Sequence, residues 1–100
     1  MATITTSADG RKIKAVVAAG ETTGAIYVNP SCTVAGTPGS GGTVLAQATW
    51  SSEADVAAGL ANWQNWDAGA SSAAASQKLP DATAVRFVAA TAAAVGEVSR

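Results

Sequence analysis

Few side chains in this sequence could carry out chemistry. There is one cysteine, Cys32, and there is no histidine. A zinc site needs several Cys and His ligands, and a nucleophilic Ser or Cys needs a neighbouring base that is most often histidine. Cys32 also has no partner for an intramolecular disulfide. We therefore predict that Cys32 is a small buried or loop thiol and not a nucleophile.

Carboxylates offer the remaining route to catalysis or to metal binding. The two candidate pairs are Glu53 with Asp55 and Asp67 with Asp81. Glycoside hydrolysis requires two carboxyl groups that flank a cleft, and calcium requires about six or more oxygen ligands. Because a domain this small rarely builds a deep cleft, we interpret these residues as helix-end and turn carboxylates. The prediction is no enzyme, no metal and no cofactor.

All three tryptophans lie in one block, between residues 43 and 69. The alternation over 43–51 predicts a strand that carries Trp50 on its apolar face. Trp63 and Trp66 are three residues apart, so in a regular strand they face opposite sides. We predict that Trp50 and Trp63 are core anchors and that Trp66 faces outward. Core packing, a protein interface and glycan stacking all stay open for Trp66.

The elements that must position these side chains are short strands separated by turn signals such as Asp9-Gly10. Val85 and Phe87 point inward in the clearest strand and are further core anchors. One hundred residues suffice for one core. The prediction is an all-β protein, a single compact β-sandwich domain over 1–100 with about seven short antiparallel strands. The predicted strands cover 3–6, 12–18, 25–29, 43–51, 60–66, 82–90 and 94–99.

Two segments between the strands need separate treatment. Ser52 is a favourable N-cap and Gly59 suits the position after a helix, which predicts a short helical turn over 53–58. A longer helix to Trp66 would place Gly59 in its interior at a cost of about 1 kcal/mol, so a strand over 60–66 is favoured. The Gly-rich stretch 36–42 lacks the lysine of a phosphate loop and predicts a flexible hairpin loop.

Charge and hydropathy exclude several functions. Charged residues make up 13% of the chain and its net charge is −1, so we expect no basic stripe and no nucleic-acid partner. No window approaches the ~20 apolar residues of a membrane span, and the N-terminus lacks the apolar run of a signal peptide. A soluble protein without a membrane partner is expected. The apolar residues are largely alanine, which favours stabilisation by self-association.

The N-terminal strands supply most of the candidate interface residues. Thr3, Ile4 and Thr5 belong to a Thr-rich edge strand that can add to the sheet of a neighbour through main-chain hydrogen bonds. Lys12 and Lys14 point outward from the next strand, where they are most simply interpreted as protection of an edge against aggregation. Together with the outward Trp66, these residues form the predicted interface.

The region 48–100 carries a composite pattern. Thr49-Trp50-Ser51 leads through an acidic turn to Gly59, and a paired-tryptophan segment from Ala61 to Trp66 follows. A Leu-Pro then precedes the strand Thr83-Ala84-Val85-Arg86-Phe87-Val88-Ala89 and a short terminal strand. This pattern resembles small virion structural proteins of tailed bacteriophages, in particular capsid decoration (cement) proteins.

The resemblance implies a compact β-sandwich that binds the outside of the phage head and stabilises the shell by non-covalent contacts. Its expected partners are the major capsid protein and neighbouring copies of itself, in a homo-oligomer or multi-copy assembly. Its expected location is the capsid surface of the virion, after synthesis in the host cytoplasm. The alternative is a tail- or fibre-associated module that recognises a host-surface glycan or receptor, with Trp66 as the stacking residue.

Overall fold

The computed structural model describes residues 3–28 and 31–100, and it confirms the all-β sandwich. Two antiparallel sheets pack face to face, and one short helix follows the fifth strand. The elements are β1 (Thr3–Thr6), β2 (Lys12–Val17), β3 (Ile26–Tyr27), β4 (Ser31–Pro38), β5 (Thr43–Thr49), α1 (Glu53–Ala58), β6 (Trp63–Asn65), β7 (Ala75–Pro80), β8 (Ala84–Ala90) and β9 (Ala94–Ser99).

The sheets differ in size and in the strands that bound them. Sheet A has the order β1-β2-β9-β4-β7, and sheet B has the order β3-β8-β5-β6. All of the paired strands are antiparallel. Successive side chains of a strand point to opposite faces of its sheet, one toward the other sheet and one toward solvent. Consecutive strands frequently change sheet, and the chain crosses between the layers after β2, β3, β4, β6, β7 and β8.

The short helix has the boundaries that the sequence predicts. The Ser52 hydroxyl accepts a hydrogen bond from the Asp55 main-chain N–H at 3.2 Å, which satisfies one of the free donors of the first turn. Gly59 ends the helix in the left-handed conformation, with φ of 77°. No residue of α1 is buried, so the helix lies on the surface of the sandwich.

Two sequence predictions about strand order are wrong. The stretch 36–42 is not a hairpin loop, because its first three residues belong to β4 and because β4 and β5 lie in different sheets. β4 itself was not predicted, although it is an interior strand of sheet A between β9 and β7. β7 was not predicted either; the Leu-Pro pair ends it, and Pro80 is tolerated there because β7 is an edge strand. Asn29, the end of a predicted strand, lies outside the described residues.

The core is built from alanine and valine around two rings that fill a hollow in sheet A. Gly36 of β4 and Gly96 of β9 are partners across the strand pair, so two neighbouring positions of sheet A carry no side chain. A Cβ atom on Gly96 would lie 2.5 Å from Cγ of Phe87, and one on Gly36 would lie 3.0 Å from the Trp66 ring. Phe87 and Trp66 of the sheet B layer therefore pack directly against the backbone of sheet A.

The strand phase correctly predicts two of the four core anchors and assigns Trp50 and Trp66 to the wrong faces. Val85 and Phe87 are fully buried, as predicted. Trp66 is 4% exposed and belongs to the core, so the prediction that it faces outward is wrong. Trp50 is 45% exposed, so the prediction that it is a core anchor is wrong as well. β5 ends at Thr49, and the alternation that would turn Trp50 inward ends with it.

Trp63 and Trp66 do face opposite sides, but Trp63 is on the outer one. Trp63 is the register partner of Thr49, so the two side chains lie on the same face of sheet B. Thr49 is next to the inward Ala48 on β5, so this face is the outer one. The guanidinium of Arg86 lies 4.3 Å from the centre of the Trp63 ring, a cation–π contact on the outer face of sheet B. The prediction that Trp63 anchors the core is therefore wrong. Trp66 follows the end of β6, and its main-chain N–H donates to Ala46 O at 2.8 Å.

Candidate interaction surfaces

The groups that could do chemistry are dispersed or buried. Within residues 3–28 and 31–100, no group of three or more His, Cys, Asp or Glu side chains is placed to hold a metal ion. Cys32 lies in the buried cluster of β4, and burial raises the pKa of its thiol to about 11. Glu53 and Asp55 occupy the first turn of α1, where carboxylates stabilise the helix terminus.

The four sheet edges differ in how well they are protected. β7 ends in Pro80 and carries Lys78, two residues that discourage the addition of another strand. β3 has two residues and β6 has three, so each offers little to pair with. β1 has four exposed residues without charge or proline, and its described pairing is with β2 alone. β1 is therefore the one well-formed, unprotected edge in the part of the chain that the structure describes.

The register of β1 identifies the main-chain groups that are free at this edge. The Ser7 N–H donates to Lys12 O at 2.8 Å, so Ser7 and Lys12 form a hydrogen-bonded pair. Such pairs alternate along an antiparallel ladder, so Thr5 and Thr3 also bond to β2. The N–H and C=O groups of Ile4 and Thr6 consequently point away from β2 toward the open side.

The turn before β2 holds this edge in place. The Asp9 carboxylate accepts hydrogen bonds from the Ser7 hydroxyl at 2.5 Å and from the Arg11 N–H at 3.1 Å. These bonds lower the pKa of Asp9 from its ordinary value, the Ser7 bond most of all. Gly10 supplies the left-handed residue of the turn, with φ of 74°.

Exposed apolar side chains lie next to the open edge. Ile4 is 47% exposed, although it shares the inward-facing side of sheet A with its partner Ala15. β1 therefore extends past the cover that sheet B provides to its neighbours. On the opposite face of the same strand pair, Val16 is 43% exposed beside Thr3. A partner strand at this edge would lie beside Ile4 and cover its side chain.

The structure brings five of the six predicted interface residues together and separates the sixth. Thr3, Ile4 and Thr5 form the edge, and Lys12 and Lys14 lie on the adjacent strand β2. Thr5 and Lys14 are partners across the pair. Trp66 is in the core, where its Nε1–H donates to Gly69 O at 2.5 Å.

Sequence reasoning missed two exposed apolar side chains near the ends of α1. Trp50 and Leu60 flank the helix, and Leu60 is 73% exposed. Trp50 is fixed in orientation because its Nε1–H donates to Pro80 O at 2.9 Å. Trp50 and Leu60 both lie in predicted strands, 43–51 and 60–66, so no local signal marks them as exposed.

Comparison of the chain with protein-family models, with curated proteins and with solved structures gives no match. Within the described ranges, no helix has the length and apolar character needed to cross a membrane. The surfaces described above are therefore the basis for a functional proposal.

Proposed function

We propose that this protein is a structural component of a tailed-phage virion that decorates the outside of the head and stabilises the shell by non-covalent contacts. The observation that carries the proposal is the open edge of β1, with its free main-chain groups at Ile4 and Thr6 and its half-exposed Ile4 side chain. The sequence pattern of residues 48–100, which resembles cement proteins, supplies the identity of the partner.

The proposed contact is the addition of a strand from a neighbouring subunit to sheet A. The N–H and C=O groups of two residues allow up to four main-chain hydrogen bonds. At about 0.5 to 1.5 kcal/mol net for each bond, they contribute roughly 2 to 6 kcal/mol before the entropy of association is subtracted. Burial of Ile4 adds to this. A contact of this strength is weak for one copy and sufficient for many copies on one shell.

The glycan-binding alternative loses the residue on which it rested. Its stacking residue was to be Trp66, and this side chain is buried against Gly36. Recognition of a receptor by a tail- or fibre-associated module does not depend on Trp66 and stays a prediction. We carry the decoration role forward, with the major capsid protein and neighbouring copies as the proposed partners.

Co-sedimentation with empty heads of the phage that encodes the chain tests the proposal. The wild-type protein should bind expanded heads and raise their melting temperature. Thr6→Pro removes an outward N–H without touching a bond to β2, and we expect about 3- to 10-fold weaker binding from the loss of one hydrogen bond. Thr6→Val keeps the N–H and the strand preference, so it is the matched control and should bind as the wild type does.

The outcomes test the decoration role separately from the surface that makes the contact. Failure of the wild-type protein to bind heads in any state of expansion would contradict the decoration role. Equal binding of Thr6→Pro and Thr6→Val would leave the role in place and show that another surface makes the contact.

A further inference from the structure

The outer face of sheet A carries a groove that concentrates the positive charge of the molecule. Two hollows of about 420 Å³ each meet at Thr33 and Ser99. We call them together the basic groove. Its charged lining residues are Arg11, Lys12, Lys14, Lys78, Arg100 and Glu97.

The charge of this groove is opposite to that of the rest of the chain. Five of the six cationic side chains and one of the seven acidic ones line it, so the groove carries a formal charge of +4 and the remainder of the chain carries −5. The sequence-based expectation of no basic stripe is therefore wrong. The cations come from β2, β7 and the two chain segments that flank β2 and β9, and pairing of the strands brings them together.

Several of these cations are held by neutral partners. Lys12 Nζ donates to the Ser99 hydroxyl at 2.7 Å, which directs the side chain across β9. Arg100 donates through Nε to Gly10 O at 2.8 Å and through a terminal nitrogen to Tyr27 O at 2.5 Å. These contacts orient the positive groups without neutralising them. Asp9 lies beside Arg11 at one end, where its carboxylate is already bonded to Ser7 and to the Arg11 N–H.

The lysines of β2 have no protective role at an edge. β2 lies between β1 and β9, so Lys12 and Lys14 project from the interior of the sheet. The interpretation of these residues as edge protection is therefore wrong. Two lysines, both exposed on the same face of an interior strand, form a surface suited to recognition.

We propose that the basic groove binds an extended acidic polypeptide segment of a partner protein. Lys12 and Lys14 are two residues apart on one face, about 7 Å along the strand, which is the spacing of alternate side chains on any extended chain. Lys78 extends the positive surface about 14 Å across three strand spacings from Lys12. A segment with carboxylates at alternate positions matches this arrangement.

Two features favour a polypeptide over a uniform polyanion such as a sulfated glycan or a nucleic acid. Glu97 lies in the groove directly opposite Lys14. Its carboxylate would repel a ligand that carries a negative charge on every unit. A polypeptide can instead place a neutral or basic residue opposite Glu97. Among the described residues that line the groove, none is aromatic. Sugar rings and bases would therefore find no stacking platform. This proposal rests on the charge distribution and is independent of the decoration role.

Titration of the purified full-length protein with a synthetic peptide tests the groove. The probe is a blocked ten-residue peptide of alternating Glu and Thr, and a heparin fragment is the uniform polyanion for comparison. We expect the peptide to bind with an affinity that falls as salt rises. Lys12→Gln combined with Lys14→Gln should weaken binding about 5-fold, since each exposed charge pair contributes modestly. Glu97→Gln should strengthen it about 2- to 5-fold.

Arg86→Gln is the matched control, because it removes the one cation outside the groove, and it should change the affinity less than 2-fold. Lys12 and Lys14 are exposed, so the lysine variant should fold as the wild type does, and a circular dichroism spectrum checks this. Glu97→Gln gives a change of opposite sign, which unfolding cannot produce. No peptide binding at low salt, equal binding by the lysine variant, or tighter binding of heparin than of the peptide would overturn the proposal.

Discussion

Substitution of Gly96 by alanine should destabilise the protein by forcing a methyl group into the Phe87 ring. The added Cβ would lie 2.5 Å from Cγ and Cδ2 and 2.6 Å from Cδ1 of that ring. Favourable contacts between carbon atoms lie at about 3.5 to 4.0 Å, so the ring or the strand must move by about 1 Å or more. Phe87 is fully buried and cannot move toward solvent.

The expected cost is about 1 to 3 kcal/mol, the usual range for overpacking a core. Alanine also reduces the entropy of the unfolded chain, which offsets about 0.4 to 1 kcal/mol of this cost. A net loss of about 1.5 kcal/mol lowers Tm by about 6 to 12 °C in a domain of this size. Thermal and urea unfolding followed by tryptophan fluorescence measure both quantities.

Gly24→Ala is the matched control for this substitution. A Cβ at Gly24 meets nothing within 4 Å, so the same chemical change should alter the free energy of unfolding by less than about 1 kcal/mol. Phe87→Leu in the Gly96→Ala background provides a second test, because a smaller side chain makes room for the methyl group. The two substitutions should be non-additive by about 1 kcal/mol or more. Wild-type stability of Gly96→Ala, or strict additivity with Phe87→Leu, would refute the packing argument.

Three further predictions concern single side chains. Trp66→Phe should lower the free energy of unfolding by about 1 to 3 kcal/mol, because it leaves Gly69 O without its donor. Trp50→Phe should mainly remove the fluorescence that iodide quenches. The reverse pattern would contradict the assignment of Trp66 as the buried tryptophan. Cys32 should react with a disulfide reagent at neutral pH only when the protein unfolds, and rapid labelling of the native protein would contradict this. Burial raises the pKa of Cys32 from 9.0 to about 11. The stability that this thiol contributes is therefore complete below pH 9 and is lost as the pH rises through 11. Thr91→Gly should raise the free energy of unfolding by about 0.5 to 1 kcal/mol, because the β-branched Thr91 is strained at a φ of 72°. If that strain is absent, urea titration of the variant will show an unchanged or lower midpoint.

Local sequence signals predicted the elements whose boundaries depend on neighbouring residues. The alternation of the strand β8 placed Val85 and Phe87 in the core, and Ser52 with Gly59 fixed the ends of α1. Both signals lie within a few residues of the chain. The same is true of β1 and of the Asp9-Gly10 turn, whose hydrogen bonds are local.

Features that depend on strand pairing could not be predicted in this way. The spacing of Trp63 and Trp66 predicted opposite faces, but the register of β6 against β5 decides which of them is inward. In the sequence, Gly36 is part of a Gly-rich stretch that predicts a flexible loop. In the structure it belongs to a strand and provides space for the Trp66 ring. β4 carries a glycine and ends in Pro38, so its own residues are poor evidence of the interior strand that it forms.

The basic groove illustrates the same limit for charge. A net charge of −1 gives no indication that cations gather on one face. Lys12, Lys78 and Arg100 are far apart along the chain and meet only because β2, β9, β4 and β7 lie side by side.

Cryo-electron microscopy of expanded heads incubated with the purified protein tests whether it decorates the phage head through the edge of β1, as we propose. We expect added density on the outer surface of the shell that fits the two-sheet sandwich, with β1 continued by a strand of a neighbouring subunit. Heads without added density, or density in which β1 faces solvent, would contradict it.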